Sequence, residues 1–598
     1  DKAERLHFCS RKAFSMNNTE VHEINRTVVR CQDTSSDTGA STHAVTVTGT
    51  STGIGTGAGD CTGVKKIEAV ALCWSRKELK AAYLCIFLVY FFISLQQQIH
   101  FNVVSYVTSS FKLLPLTGTT SVVSSVVGGV SRLATGKFID VVGRPEGLIL
   151  MVAFTTIGII MMAATRNVET FAAAQVFYWV GFDGMEYVMS VFMADTSSPK
   201  NRAFVFAFST TPYIVTTFAG PRAAAAYLEV SGWPWAYGTF AIVIPAIASP
   251  LLYVLYRNEQ KARMAGLIPE RKVNRNFKKS ISYYFYEFDV IGILLLSAGF
   301  VLMLLPSSLA SYQVKGWASD TIIAILTTGL ACSVGFVIWE KVFTPAPLIP
   351  FKLLANPSIW GACMLANFRF MSFYLWDNNF LAFLQVVYGL SITNAGYISN
   401  IFSIGTCLWA VVFACLLRVI GRLKYLALAH LCVLLLGVSL MTYFRQPTSY
   451  IGYVIMCQII IAFASGGLII SEQMVILAAC PHEAIAIPLA LLALFSSLGG
   501  AIGTSISGAI LTNKFPAALD RALPGNATLN DLLYGDLAKQ LSYPLGTPER
   551  QAVLYAYADT MWYQTCIGAV LLIPCFIFVA VWKDFNVKEM KKAPGNLL

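Results

Sequence analysis

Charge is scarce in this sequence. Asp, Glu, Lys and Arg make up 13% of its 598 residues, and 56% are hydrophobic, whereas soluble domains average about 25% charged and about 45–50% apolar residues. Signatures of dinucleotide-binding, P-loop and metalloprotease enzymes are also missing. The 14 cysteines include no CxxC pair, and His, Cys and carboxylate residues do not cluster as metal ligands do. We therefore expect no enzymatic activity, no cofactor and no protein-bound metal.

Apolar runs of roughly 20 residues recur along most of the chain, and each is long enough to cross about 30 Å of hydrocarbon as a helix. Lipid offers no partner to free backbone groups, so such runs are predicted to be helical. The pattern predicts an all-α membrane protein with fourteen spans. They lie at residues 79–103, 117–138, 146–165, 168–192, 203–228, 234–256, 289–311, 318–343, 357–386, 392–417, 423–444, 450–472, 484–512 and 559–582.

Basic residues mark one side of the predicted membrane. They concentrate before span 1, between spans 6 and 7 and after span 14, whereas the alternate short loops hold at most one each. Because cytoplasmic loops carry an excess of Lys and Arg, both termini are predicted to be cytoplasmic. The net charge of +11 then faces the anionic inner leaflet, which explains it without a nucleic-acid partner.

Two polar segments lie outside these spans. Residues 1–64 are rich in Ser, Thr and Gly, and we predict a disordered cytoplasmic tail there, without the apolar core of a signal peptide. The loop 513–558 is predicted to be extracellular. It contains "NAT" at Asn526, a glycosylation sequence on the side where glycosylation occurs.

A weak internal duplication divides the chain. "GKFIDVVGR" follows span 2, and "ACLLRVIGR" follows span 10 at the equivalent place, with Arg418 where the first copy has an acidic residue. This predicts two six-helix halves, residues 65–257 and 344–582. Between them lie a basic linker, 258–288, and two inserted helices, 289–343; a short cytoplasmic tail, 583–598, follows. The candidate gating positions are Gly136, Asp140, Gly143, Arg144, Arg418, Gly421 and Arg422.

The first copy resembles the loop signature of the major facilitator superfamily, G-x-x-x-D-x-x-G-R. That resemblance implies a charged latch between the two halves; the alternative is an ordinary basic loop with an accidental Asp. Asp and Arg at helix ends can pair, and glycine permits the tight turn. Glu472, near the inner end of span 12, is a further candidate as a gate or latch partner.

Several longer segments resemble the fungal siderophore-iron transporters, a fourteen-span class of the same superfamily. The most specific is "LWDNNFLAFLQVVYGLSITNAGYISNIFSIG", residues 375–405, and the resemblance extends over roughly residues 65–590. The chain looks most like the Mir-type members. This implies a monomer in the plasma membrane that imports ferric hydroxamate siderophores, with a triacetylfusarinine-type ligand plausible, together with protons.

Two other functions compete with import. Fourteen-span proton/drug antiporters carry a glycine-rich Gly-Pro motif in span 5, and this chain has Gly220-Pro221 but lacks the second glycine pair. A non-transporting nutrient receptor would need an ordered cytoplasmic signalling domain, and the Ser/Thr/Gly-rich tail does not resemble one. Import therefore remains the main hypothesis.

A ferric trihydroxamate is bulky, and its iron already has six oxygen ligands, so its site should offer aromatic rings and neutral donors rather than metal ligands. Polar residues inside predicted spans are the candidates. The alternatives are polarity at a helix end for the span 1 residues and a structural ion pair for those of span 9. The candidates are Gln97, His100, Tyr213, Arg222, Arg369, Tyr374, Trp376, Asp377, Asn378, Tyr397 and Asn400.

Asp183 and Glu186 are candidates for proton coupling. They lie three residues apart in span 4, a spacing that puts both on nearly one helix face. Two ionised carboxylates there would repel each other, so one of them could hold a proton. The alternative is an internal salt bridge, for instance with Arg222 or Arg369.

Overall fold

The computed structural model describes residues 74–110, 116–265, 285–309, 313, 315–344, 347–349, 351–480, 486–535 and 537–586. The predicted disordered tail lies outside these residues. So do residues 266–284 of the predicted basic linker and most of the predicted C-terminal tail.

The described chain is helical, and each predicted span falls on a helix. We name these helices α1 to α14 in chain order. They are α1 (Arg76–Ser110), α2 (Leu116–Val141), α3 (Arg144–Ala164), α4 (Val168–Thr196), α5 (Pro199–Thr210 with Pro212–Val230), α6 (Trp233–Met264), α7 (Val290–Leu304), α8 (Asp320–Ile338, ending in the π-helical turn Trp339–Phe343), α9 (Pro357–Asp377 with Phe380–Tyr388), α10 (Ile392–Ser399 with Ile401–Ile420), α11 (Leu423–Phe444), α12 (Ile451–Ala479), α13 (Ala486–Ala522) and α14 (Pro548–Leu572 with Cys575–Ala580).

Ten of the described helices are long and apolar enough to cross a membrane. The other four helices do not meet this criterion of length and hydropathy. Helices α2, α4 and α9 are long but more polar than the ten, and α7 is apolar but has only 15 residues. The total of fourteen spans therefore stays a prediction, whereas the all-helical architecture is as expected.

Helices α1–α6 and α9–α14 pack as two groups, which meet along α2 with α13 and along α5 with α10. Small residues allow the first of these contacts. A Cβ placed on Gly129 of α2 would lie 2.4 Å from the Cβ of Ser497 on α13. The two backbones can approach this closely only because Gly129 has no side chain.

The inserted helices α7 and α8 pack against each other, and α7 lies beside α2. At its start, the ring of Phe288 packs 5.7 Å from that of Phe138 on α2. Just beyond its other end, Ser307 hydrogen-bonds Ser505 of α13 at 2.6 Å. The inserted pair therefore touches both halves of the molecule.

The predicted loop 513–558 is largely helical, which corrects our boundaries. α13 continues to Ala522, two short helices follow at Ala527–Gly535 and Leu537–Ser542, and α14 begins at Pro548 rather than at 559. Arg550 fixes this segment to the second half of α9 by donating to the carbonyl of Val386 at 2.7 Å. We call residues 513–558 the cap and the end of the bundle that carries it the cap end.

The opposite end carries the two turns at Gly143 and Gly421, and we call it the latch end. Asn526 is exposed in the cap, immediately before the helix Ala527–Gly535. Its glycosylation stays a prediction.

Candidate transport site

Asp183 and Glu186 face one arginine, Arg132 of α2. The Arg132 Nη2 lies 2.7 Å from Asp183 Oδ1 and 3.6 Å from Glu186 Oε2. Gly128, one turn earlier on α2, makes room for this contact, since a Cβ there would lie 2.6 Å from Asp183 Oδ2. The two carboxylates share a face as expected, and the partner is neither of the arginines we had considered.

The site holds two carboxylates and one guanidinium, which leaves one negative charge. The Asp183 side chain is 11% exposed, whereas that of Glu186 is 33% exposed. Glu186 is therefore the more accessible of the two carboxylates. Arg132 was missed, although a lone arginine within "SSVVGGVSRLATG" is a signal in itself, because charges inside a span are costly.

Neutral polar side chains of the first half lie on the neighbouring helices. The Tyr213 hydroxyl of α5 donates to Gln97 Oε1 of α1 at 3.1 Å, and α1 also contacts α4 where the Tyr90 hydroxyl donates to the backbone carbonyl of Glu186 at 3.3 Å. His100 lies in the packed interior instead, where it bonds the Tyr237 hydroxyl at 3.0 Å and contacts the ring of Tyr178. Gln97 and Tyr213 are thus brought together, and His100 is not on a cavity surface.

Tyr374 is the predicted residue of the second half that approaches this charge cluster. Its ring lies against Gly500 of α13, where a Cβ would come within 2.9 Å of it, and Ser497, one turn earlier on α13, meets Gly129 of α2 beside Gly128. We define the central polar site as Gln97, Arg132, Asp183, Glu186, Tyr213 and Tyr374.

Arg369 and Glu472 form a separate, internal ion pair in the second half. Arg369 Nε and Nη2 lie 2.8 and 2.9 Å from the two carboxylate oxygens of Glu472. Their side chains are 5% and 2% exposed. Glu472 therefore pairs with Arg369 and not with the predicted latch residues. For Arg369, the geometry matches the alternative interpretation, a structural ion pair.

The end of the first segment of α9 is held by Arg445, the residue that directly follows α11. Arg445 is 1% exposed, donates to the carbonyl of Trp376 at 2.6 Å and lies 4.5 Å above the ring of Phe380. Trp376 is itself buried, which corrects its expected place in a cavity. Asp377 is half-buried, and the charge of Arg445 acts on it.

The other predicted ligand residues lie toward the cap end. The Tyr397 ring packs 5.7 Å from that of Phe218, and Asn400 donates to the Thr217 carbonyl at 3.4 Å, so both join α10 to α5. Asn378 and Arg222 are exposed. No ion pair of Arg222 is found among the described residues.

Comparison with known proteins identifies the family. The sequence model of the Major Facilitator Superfamily matches residues 86–375. The chain is 46% identical over 535 residues to the "MFS siderochrome iron transporter 1" of Ajellomyces capsulatus, covering 89% of this chain and 91% of that protein. The chain belongs to the siderochrome iron transporter family of the major facilitator superfamily. It is therefore a transporter rather than an enzyme.

Other relatives agree with this membership. The "Siderophore iron transporter mirB" of Emericella nidulans is 39% identical over 538 residues, 89% of each chain. Among solved structures, a bacterial homologue of the human lysosomal transporter Spinster aligns with a TM-score of 0.51 at 14% identity, covering 85% of this chain and 98% of that one. At such low identity this likeness shows the fold alone.

The first loop copy of this siderochrome transporter family member forms a charged turn. Arg144 Nη1 lies 2.8 Å from Asp140 Oδ1, and Arg144 Nη2 lies 3.2 Å from Asp195 Oδ2, at the end of α4. Gly143 has a φ of 140°, which favours glycine. Asp195 was not predicted, because only packing brings the end of α4 to this turn.

A hydroxyl beside this turn links the two halves. Tyr187 of α4 donates to the carbonyl of Ala486, the first residue of α13, at 2.6 Å. Gly136 leaves space for it, since a Cβ there would lie 2.8 Å from the Tyr187 oxygen. The charged turn itself is internal to the first half.

The second copy repeats the turn but not its charges. Gly421 ends α10 with a φ of 81°. Arg418 and Arg422 are exposed, and neither belongs to an ion pair between described residues. An acidic partner is missing because Arg418 replaces it. The charges of the loop signature are therefore confined to the first copy, where they join elements of the first half rather than the two halves to each other.

Proposed function

We propose that this transporter imports ferric hydroxamate siderophores through the plasma membrane, as a monomer, by alternating access and in symport with protons. The central polar site carries the proposal, because it combines two carboxylates with one arginine inside a member of a family whose relatives are named siderochrome iron transporters. A triacetylfusarinine-type chelate is a suitable ligand.

Charge balance explains why a proton is needed. A ferric trihydroxamate is neutral, since three hydroxamate anions balance the ferric ion, and it cannot cancel the negative charge left at the site. One proton on Glu186 would do so, and a neutral site crosses the hydrophobic barrier at lower cost than a charged one. We therefore expect one proton per transport cycle from this site.

The ligand meets neutral donors and rings rather than metal-binding groups. Gln97, Tyr213 and Tyr374 can hydrogen-bond its carbonyl and hydroxamate oxygens, and the tyrosine rings can cover its apolar arms. Among the described residues, no group of three or more His, Cys, Asp or Glu could hold a metal ion. In this proposal iron travels as chelated cargo, held by the three hydroxamates of the ligand.

The proposal also includes the orientation of the protein in the membrane. The latch end faces the cytoplasm and the cap end faces outside, with fourteen spans and both termini cytoplasmic. This places the basic linker against the anionic inner leaflet and Asn526 on the glycosylated side.

The deciding experiment is uptake of radiolabelled iron from defined hydroxamate chelates by a fungal host that lacks its own siderophore transporters. We expect uptake of at least one chelate, stimulated by an inward proton gradient, and none of unchelated ferric iron. No uptake of any hydroxamate would overturn the proposal. Reduced accumulation of cationic drugs instead would identify an antiporter.

A further inference from the structure

A buried carboxylate begins α7 at the latch end. Asp289 is 2% exposed and has a left-handed φ of 47°. Its Oδ1 accepts hydrogen bonds from the Gly292 amide at 3.1 Å and the Trp339 indole at 2.7 Å. Its Oδ2 is buried and receives no hydrogen bond from a donor. One oxygen of this carboxylate therefore accepts structural hydrogen bonds, and the other oxygen receives none.

A second buried carboxylate meets it from the end of α8. Glu340, in the π-helical turn Trp339–Phe343, is 4% exposed. Its Oε1 accepts from the Ile349 amide at 2.6 Å, and its Oε2 likewise receives nothing from a donor. Glu340 directly follows Trp339, whose indole donates to Asp289, so two buried carboxylates meet where α7 begins and α8 ends. Two ionised carboxylates buried together would repel each other, so a proton on one of them would stabilise the pair.

The charged groups around the pair leave room for one proton. Lys137 of α2 donates to the Glu287 carbonyl at 3.5 Å, two residues before Asp289. Lys341 beside Glu340 is exposed, and Glu287 is half-buried. Among the described residues, two buried carboxylates lie beside one ammonium, an excess of one negative charge that one proton would cancel. The described residues place no third metal-ligating side chain here.

We propose that Asp289 and Glu340 form a proton-binding site, separate from the central polar site, that clamps the inserted helices onto α2. When protonated, the pair shares a hydrogen bond that joins α7 to α8 beside Lys137 and Phe138. When deprotonated, the carboxylates repel and the clamp loosens. Because α7 packs on α2, and the chain just after it bonds α13, the clamp restrains the seam along which the halves meet. This inference does not depend on the substrate carried.

Infrared difference spectroscopy tests the shared proton directly. In the full-length protein in lipid vesicles at neutral pH, we expect a carbonyl band of a protonated carboxylic acid that is lost in Glu340→Gln and also in Asp289→Asn. Asp320→Asn is the matched control, since Asp320 is the exposed acidic residue at the far end of α8. If both variants keep the wild-type band intensity, the proposal is wrong.

Amide hydrogen exchange tests the clamp. A single titrating site changes occupancy by at most about tenfold per pH unit, so exchange within residues 290–304 of the wild type should accelerate by up to that factor relative to Glu340→Gln as the pH rises. The glutamine amide can donate to Asp289 at every pH, so this variant stays protected. A constant ratio between the two proteins across pH would overturn the clamp, whatever the outcome of the uptake experiment.

Discussion

The unequal distances of Asp183 and Glu186 from Arg132 give the two carboxylates different roles. Asp183 makes the 2.7 Å contact and Glu186 the 3.6 Å one. Short charge-assisted contacts are the strong ones, so Asp183 acts as the lasting counter-ion of Arg132. In the proposed mechanism Glu186, the more exposed of the two, is the carboxylate that binds and releases the proton.

Glu186→Gln should abolish gradient-driven uptake while changing ligand affinity by no more than about twofold, since an amide is isosteric but cannot release a proton. Asp183→Asn should also lose coupling, because Arg132 would then hold Glu186 as its only counter-ion. Uptake with and without a pH gradient, beside equilibrium binding, measures both effects. Glu169→Gln, at the exposed start of α4, is the control. Unchanged pH dependence in both variants would refute the assignment.

The Arg369–Glu472 pair should behave as a structural contact. Glu472→Gln removes one partner of a buried pair, which costs about 3–5 kcal/mol, so the thermal unfolding midpoint in detergent should fall. Replacing both, Arg369→Met with Glu472→Leu, should restore most of that stability, because an apolar pair needs no counter-charge. If Glu472→Gln melted like the wild type but lost proton coupling, the Arg369–Glu472 pair would instead have a role in proton coupling.

At the scale of elements, α2 connects the centre of the molecule with the latch. Gly128 and Arg132 contact the central polar site, Gly136 accommodates Tyr187, and Asp140 belongs to the charged turn. These residues recur at about every fourth position and so lie along one side of the helix. A movement of α2 would therefore act on the central polar site and the charged turn together.

Asp140→Ala should slow turnover with little change in apparent affinity, because Arg144 loses one of its two carboxylates while the ligand site is untouched. Asp195→Asn should do the same, at roughly the same magnitude. Arg418→Ala and Arg422→Ala are matched controls from the unpaired second copy and should transport normally. The maximal rate and half-saturation concentration of uptake separate these cases. Wild-type turnover in both acidic variants would argue against a latch.

At the scale of the whole molecule, the sequence predicted the helices better than their partners. Hydropathy locates spans because lipid permits only paired backbones, and the i, i+3 spacing placed Asp183 and Glu186 on one face. The partners Arg132, Asp195 and Arg445 lie on other elements, so only packing reveals them. The helices of the cap were not predicted, because their apolar residues, such as Phe515 and Leu533, do not form a run of membrane-spanning length. These residues pack against one another instead.

Alternating access requires the two halves to move against each other along α2 and α13, and the tight approach of Gly129 to Ser497 makes that seam testable. Gly129→Val would place side-chain atoms where even a Cβ lies 2.4 Å from Ser497, so this packed arrangement should become costly and uptake should fall by about five- to 150-fold, as expected for overpacking that costs about 1–3 kcal/mol. Ser497→Gly removes the opposing Cβ, and in the double variant it should recover part of the rate. Uptake normalised to surface expression is the measurement, with Gly535→Val in the cap, where nothing lies within 4 Å, as control. Full activity of Gly129→Val alone would mean that transport does not pass through this packed seam.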